Sequence, residues 1–163
     1  MRVLGIDPGS RLTGYGCIDR VGSKVCHVTH GTLKLVQGSR EVSMEDRLFQ
    51  LYEGLSAIIR EFCPQVIAVE KVFVAKNALS ALKLGQARGA IILTGKIHFL
   101  EIAEYSATEV KKIVAGYGQA DKDQVAKMVQ IYLGRKDFAT SDASDGLALA
   151  ICHAFSRRSI ERE

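Results

Sequence analysis

The sequence lacks any long hydrophobic run. Although 47% of its 163 residues are hydrophobic, none of the apolar runs approaches the roughly 20 residues that a membrane-spanning helix needs. Met1 and Arg2 lead directly into a predicted strand, without the apolar core and small-residue cleavage site of a secretory signal peptide. We therefore expect a cytoplasmic protein that does not associate with membranes.

Cysteine and histidine residues are few, and their spacing is not that of a disulfide framework or a zinc site. The four cysteines are widely separated and form no Cys-x-x-Cys pair, and the four histidines lack zinc-ligand spacing. We therefore expect reduced thiols and imidazoles in structural roles. No repeat, linker or low-complexity segment divides the chain. Residues 1–163 are thus predicted to form one domain, with 157–163 as a short polar tail.

Acidic residues are absent between Lys71 and Leu100. Residues 1–70 hold eight basic and eight acidic side chains, so the formal net charge of +4 arises in residues 71–163. The stretch without acids carries five basic residues, which are Lys71, Lys76, Lys83, Arg88 and Lys96. Such a segment is either a solvated basic helix face or a surface that contacts phosphate groups.

The sequence does contain a clear succession of strand and helix patterns. Short apolar and alternating segments predict strands at 2–7, 13–19, 25–36, 65–70 and 99–105. Helical periodicity predicts helices at 43–62, 77–97, 107–116, 120–134 and 141–158. The first three strands are joined by short turns. We therefore predict an α/β domain with a mixed five-stranded sheet, in which an antiparallel three-strand meander continues into a parallel extension flanked by helices.

The first strand ends on a carboxylate, Asp7, at the start of the turn Asp-Pro-Gly-Ser. Asp is a common turn residue, Pro8 fixes its own φ, and Gly9 is expected to supply a positive φ. Considered alone, Asp7 is therefore explained by turn formation. The other carboxylates that stand at element ends change this interpretation.

Four carboxylates stand at the ends of predicted elements. Asp7 and Glu70 each end an apolar strand, and Asp142 and Asp145 lie three residues apart in the first turn of the last helix. Each has a structural explanation by itself, for example Asp142 as a helix N-cap. Together they would repel one another unless a cation held them. Divalent cations such as Mg²⁺ prefer carboxylate oxygens, so the pattern points to metal-assisted phosphodiester hydrolysis.

Three motifs in order give the chain its resemblance to a known family. They are "GIDPGSRLTGYG", "VEKVFVAKNALSALKLGQARGA" and "DASDGLALAICH". Over residues 2–156 the sequence resembles the RuvC family of Holliday-junction resolvases, which have the ribonuclease H-like fold. Ser144 stands where relatives often carry alanine, and this departure leaves both neighbouring aspartates in place.

The resemblance implies roles for individual residues. Asp7, Glu70, Asp142 and Asp145 match the four catalytic acids, which would hold two Mg²⁺ ions per active site, with Mn²⁺ able to substitute. The resemblance gives DNA-contacting roles to Phe73, Lys111 and Lys122. Phe73 would insert among bases near the crossover, and Lys111 and Lys122 would lie near the scissile phosphate. The basic residues Lys76, Lys83 and Arg88, from the segment without acids, are also expected to contact DNA.

The resemblance also implies partners and products. A homodimer would place two active sites on opposed strands of a four-way DNA junction. Symmetric cuts would leave nicks with 5′-phosphates, and the branch-migration proteins RuvA and RuvB would act beside the enzyme in recombination and repair.

Other functions are compatible with parts of the sequence. The opening "GIDPGS" also resembles actin-like ATPases and sugar kinases, but those proteins need two such domains, and 163 residues are too few for both. A ribonuclease H-like enzyme acting on RNA is disfavoured by the central motif. A catalytically inactive junction-binding module would be expected to have lost an acid. Turnover of a synthetic junction in Mg²⁺, and ATP binding, distinguish these possibilities.

Overall fold

The computed structural model describes residues 1–36, 42–71, 77–135 and 141–160. Its strands are β1 (Arg2–Asp7), β2 (Leu12–Val21), β3 (Lys24–Lys34), β4 (Val66–Glu70) and β5 (Glu101–Tyr105). They form one sheet in the order β3-β2-β1-β4-β5. The first three pair antiparallel, whereas β4 lies parallel to both β1 and β5. This arrangement confirms the predicted mixed sheet.

Helices cover both faces of the sheet. They are α1 (Met44–Phe62), α2 (Ala78–Ile97), α3 (Ala107–Ala115), α4 (Lys122–Leu133) and α5 (Ser141–Ile160). Successive residues of a strand point to opposite faces. In β4, Ile67 and Val69 accordingly pack with α1 and α2, while Val66 and Ala68 pack with α3, α4 and α5. The sheet is therefore buried on both sides, which explains the continuous apolar run of this strand.

The helix ends carry the capping residues that their sequences predict. Helix α4 begins with a capping box, in which the Asp121 carboxylate accepts from the Gln124 N–H at 2.8 Å and the Gln124 side chain accepts from the Asp121 N–H. Helix α1 ends at Phe62, before Pro64. Helix α5 ends at Ile160, inside the stretch predicted as a polar tail. Among the described residues, no helix is long and apolar enough to cross a bilayer.

Glycines allow α5 to lie directly on β1 and β2. A Cβ atom built on Gly14 would lie 2.1 Å from the Asp142 carbonyl oxygen, and one on Gly146 would lie 2.7 Å from the Tyr15 carbonyl carbon. A Cβ on Gly16 would lie 2.6 Å from the Leu147 nitrogen. Because these neighbours are backbone atoms, larger residues would force the helix off the sheet. The close packing brings the first turn of α5 beside the end of β1.

The turn after β1 corrects one expectation. Among the described residues the glycines with positive φ are Gly22, Gly116 and Gly134, so Gly9 does not supply the left-handed conformation. It supplies space instead, because a Cβ there would lie 1.9 Å from the Leu12 carbonyl oxygen. The Thr13 hydroxyl donates to the Gly9 carbonyl at 3.0 Å and holds the turn closed.

Phe99 is strained and exposed, so its replacement by glycine is expected to stabilise the protein. Its φ is +60° and its exposed fraction is 95%. The left-handed conformation costs a non-glycine residue about 1–2 kcal/mol, part of which is offset because glycine loses more backbone entropy on folding. Phe99→Gly should raise the melting temperature by about 2 °C. Phe99→Ala is the control, because it removes the ring and keeps the strain. An equal rise in both variants would contradict this explanation.

Candidate active site

Two of the predicted acids meet at one edge of the sheet. Strands β1 and β4 are parallel neighbours whose paired residues run to Ile6 and Val69, and Asp7 and Glu70 come next on each strand. Both side chains therefore stand at the carboxyl ends of adjacent strands, which is where ligands bind in α/β sheets.

Helix α5 brings the other two acids to the same edge. One carboxylate oxygen from each of Asp7, Asp142 and Asp145 lies within 4.8 Å of the others. Glu70 lines the same cleft as Asp7 and Asp145. Asp142 lies in the first turn of α5, where the helix dipole favours negative charge. The structure therefore brings together all four acids that the sequence analysis selected.

Burial and neighbouring negative charge make ionisation of Asp7 and Glu70 unfavourable. Burial raises the pKa of Asp7 from 3.8 to about 7, and the negative charges of Asp145 and Glu70 add to the rise. Burial also raises the pKa of Glu70, with a further contribution from Asp145. Positive charge at Lys122 acts in the opposite direction on both groups. The cleft therefore concentrates negative charge that local cations only partly balance.

Two lysines stand at the rim of the acidic cluster. The Lys122 ammonium donates to an Asp145 carboxylate oxygen at 3.1 Å, and this hydrogen bond is the main reason that the Lys122 pKa is raised. Its side chain remains 79% exposed, so the ammonium can also face an incoming anion. Lys111 lines the same cleft from α3. Both residues therefore lie where a phosphate bound at the acids would come within their reach.

The donor set fits a hard divalent cation. Its atoms are carboxylate oxygens, three of them already gathered closely enough to share an ion. Burial is the main cause of the raised pKa of Asp7, and repulsion from Asp145 and Glu70 adds to it; a bound cation would relieve that repulsion. Asp7, Glu70, Asp142 and Asp145 would hold the metal.

The remaining predicted DNA-binding residues have different positions. Lys83 is a half-buried residue of α2 and does not line the acidic cleft in the described part of the chain. Arg88, also on α2, contacts the protein itself. Its Nε donates to the Glu70 carbonyl oxygen at 3.2 Å, and its Nη2 contacts the Glu104 carboxylate. Phe73 and Lys76 lie outside the described residues.

Two features of the site were missed in the sequence analysis. Gly14 and Gly16 lie two apart in β2 and therefore share a face, and this spacing was a signal that something packs closely against that face. The contact of Arg88 with Glu70 had no comparable signal, because the acceptor is a backbone carbonyl that every residue carries.

Comparisons with known proteins agree with this arrangement. The family model described as crossover junction endodeoxyribonuclease RuvC matches residues 3–153. A relative of that name from Geobacter sulfurreducens is 53% identical over 156 residues, covering 96% of this chain and 93% of the relative. One from Syntrophotalea carbinolica is 51% identical over 154 residues, with 94% of each protein covered.

Solved structures give the same result. A structure of T. thermophilus RuvC in complex with Holliday junction substrate has a TM-score of 0.90 to this chain at 31% identity, covering 98% of this chain and 96% of that one. A yeast mitochondrial Holliday junction resolvase, at 16% identity and a TM-score of 0.70, shares the fold. The chain therefore belongs to the RuvC family of crossover junction endodeoxyribonucleases and has the family's ribonuclease H-like fold.

Proposed function

We propose that this chain is a metal-dependent endonuclease that resolves four-way DNA junctions in recombination and repair by paired, symmetric cuts. The observation that carries this proposal is the convergence of four carboxylates at one sheet edge, beside a cleft that two lysines also line, in a chain of this family. The similar T. thermophilus protein has been solved with a Holliday junction substrate. A phosphodiester that enters the cleft meets a site built for divalent cations and flanked by ammonium groups.

The residues of the cleft have separate tasks in hydrolysis. Two Mg²⁺ ions, or Mn²⁺ in their place, would activate a water molecule and neutralise the charge that develops on the phosphate. Asp7 and Glu70 stand at strand ends that are paired with β2 and β5, so their carboxylates extend from defined backbone positions. Lys111 and Lys122 attract the phosphate electrostatically. Attack of water on phosphorus breaks the bond to the 3′ oxygen, leaving a 5′-phosphate and a 3′-hydroxyl.

The test is cleavage of a synthetic mobile four-way junction with each strand end-labelled in turn. We expect cuts in Mg²⁺ at symmetric positions on two opposed strands, and nicks that DNA ligase seals. Linear duplex of the same sequence and an RNA–DNA hybrid are the substrate controls. Cleavage of the hybrid in preference to the junction, or tight ATP binding without cleavage, would support the other functions considered from the sequence.

Junction DNA is proposed to contact several basic residues besides the lysines of the cleft. Lys83 on α2 and Lys76 would bind phosphates. For Arg88, whose guanidinium already contacts the Glu70 carbonyl and the Glu104 carboxylate, a phosphate contact is the alternative to a role within the protein. Phe73 would stack on a base near the crossover, an interaction worth about 1–3 kcal/mol. Contacts to phosphates supply affinity that depends on salt concentration, whereas base stacking tolerates salt.

A homodimer is proposed because a symmetric junction requires two matched cuts. Helix α2 offers a surface for it. Large apolar side chains follow one another at helical spacing on its outer face and are 48–61% exposed, namely Leu79, Leu82, Leu93 and Ile97. Apart from the backbone of α2 itself, no described atom lies within 4 Å of a Cβ built on Gly85 or Gly89. These two glycines therefore leave open space on α2, where a partner backbone could approach closely. Exposed apolar patches of this kind mark protein interfaces.

A charge on this face of α2 is expected to produce a folded monomer. Leu93→Glu would place a carboxylate in the proposed interface, where its desolvation opposes association. Sedimentation at micromolar concentration should show the wild type at twice the 17.8 kDa chain mass and the variant at the single mass. The variant should nick one strand of the junction or none.

The control is Ile131→Glu, at a residue that is 60% exposed on α4. It is expected to remain dimeric and to make paired cuts. A wild-type protein that stays monomeric both free and on the junction would refute the paired-cut mechanism. RuvA and RuvB are proposed as partners that move the branch point before the cuts are made.

A further inference from the structure

Arg88 joins α2 to the ends of two neighbouring strands. Its Nε donates to the main-chain carbonyl of Glu70, the last residue of β4, at 3.2 Å. Its Nη2 makes a charged hydrogen bond to the carboxylate of Glu104 on β5. About a quarter of the Arg88 side chain is exposed. A guanidinium with two donors in use is held in one orientation, unlike a free surface arginine.

The backbone at the end of β4, where Glu70 stands, is paired with a neighbouring strand on one side only, so a contact from Arg88 there affects the position of Glu70. The pairing of β4 with β1 runs only to Ile6 and Val69, one residue before Glu70. On the other side, β5 supports the strand end, because the Lys71 N–H donates to the Tyr105 carbonyl at 2.8 Å. Arg88 supplies a second support at the Glu70 carbonyl itself. The Glu70 carboxylate, by contrast, faces the negative charge of Asp145, which repels it.

We propose that Arg88 is a positioning residue, which fixes the backbone of Glu70 through its carbonyl and thereby holds the Glu70 carboxylate at the metal-binding cleft. This role rests on the proposed function, in which Glu70 is a metal ligand. Glu104 fixes the guanidinium in turn. Groups that orient metal ligands typically change metal affinity or activity by about 10–100-fold when they are removed.

The alternative for Arg88 is direct contact with a DNA phosphate, and Arg88→Lys separates the two roles. Lysine keeps the positive charge that a phosphate requires. It cannot reproduce the planar fork that reaches a carbonyl and a carboxylate together. A phosphate contact is therefore largely preserved in the lysine variant, whereas the positioning contact is lost.

The experiment uses the full chain and three measurements. Mn²⁺ binding to the DNA-free protein is followed through the rise of its melting temperature with Mn²⁺ concentration. Cleavage of saturating junction is measured against Mg²⁺ concentration, and junction binding is measured in Ca²⁺ at several salt concentrations. For Arg88→Lys we expect the half-saturating Mn²⁺ and Mg²⁺ concentrations to rise about tenfold or more, with junction affinity within about twofold of the wild type because the charge is kept. Excess Mg²⁺ should restore part of the cleavage rate.

Two further variants complete the design. Glu104→Gln keeps the shape of the side chain and releases only the charged partner of Arg88, so a smaller rise in the same direction is expected. This variant decides the question if Arg88→Lys does not fold. Arg60→Lys, at an exposed residue in the last turn of α1, is the matched control and should leave all three measurements unchanged.

Unchanged metal requirements in Arg88→Lys would overturn the proposal. A second result would also overturn it. If Arg88→Gln bound the junction more weakly, with a salt dependence reduced by about one phosphate contact, and kept a normal metal requirement, Arg88 would be assigned to DNA binding. A wild-type protein that neither binds Mn²⁺ nor cleaves the junction would instead refute the proposed function.

Discussion

Replacing Asp7 by asparagine is expected to abolish junction cleavage and, in the metal-free protein, to increase stability. The amide has lost the negative charge that holds a divalent cation, so no turnover should be detectable in Mg²⁺. Junction binding should persist because it rests mainly on phosphate contacts by lysine and arginine. The same loss of cleavage is expected for Glu70→Gln, Asp142→Asn and Asp145→Asn.

The gain in stability follows from the raised pKa of Asp7. The native value is about 7 against an ordinary 3.8, so ionised Asp7 destabilises the fold by at most about 4 kcal/mol at pH 8. The folded state binds the proton more tightly than the unfolded chain, and stability therefore falls as pH rises from about 4 to about 7. Below pH 4 the carboxyl is protonated in both states and this loss disappears.

Thermal unfolding in EDTA measures this effect. At pH 8 the melting temperature of Asp7→Asn should exceed that of the wild type by at least about 3 °C, and the two should converge near pH 4. Addition of Mg²⁺ should reverse the order, because only the wild type gains stability from binding the ion. Normal cleavage by the variant would disprove the site assignment, and equal stability at pH 8 would disprove the electrostatic explanation.

Replacing Gly14 by alanine is expected to damage both the fold and the site. The added methyl group would lie 2.1 Å from the Asp142 carbonyl oxygen and 2.5 Å from its carbonyl carbon. Because the clash is with backbone, the first turn of α5 must move away from β2. Overpacking costs about 1–3 kcal/mol, and a backbone clash belongs at the upper end of this range. Displacement of Asp142 by 1 Å can also lower the rate by about 100-fold.

Gly31→Ala is the matched control in the adjacent strand. A Cβ on Gly31 would meet the Tyr15 hydroxyl at 2.8 Å, the far end of a side chain that can move. The melting temperature and cleavage rate of Gly31→Ala should therefore stay close to those of the wild type. Both values should fall in Gly14→Ala. A Gly14→Ala protein with normal cleavage and stability would show that α5 can shift without cost.

The fold was predictable because its signals are local. Apolar strands, helical periodicity and helix caps such as Asp121 with Gln124 can each be recognised within a short segment of sequence. The sheet edge where Asp7 and Glu70 meet also followed, because parallel strands bring their carboxyl ends together. Proximity of Asp142 was harder to predict, since it depends on how closely α5 approaches the sheet.

The features that could not be predicted from the sequence depend on the space around a residue and on contacts with backbone atoms. Gly9 was expected to supply a positive φ, but the structure requires it because no room exists for a side chain. Arg88 belonged to a basic segment whose charge suggested DNA contact. Its bonds to Glu70 and Glu104 depend on the turn of α2 that faces β4 and β5, a relation between elements that no local pattern encodes.

The dependence of the cleft on α5 has a consequence for biosynthesis. This helix supplies Asp142 and Asp145 together with a large share of the core, including Leu147 and Ile151. Its residues leave the ribosome after all of the strands. A nascent chain that has not yet docked α5 therefore has neither a complete core nor all four acids at the sheet edge, so the proposed cleavage site is completed only when the last helix docks.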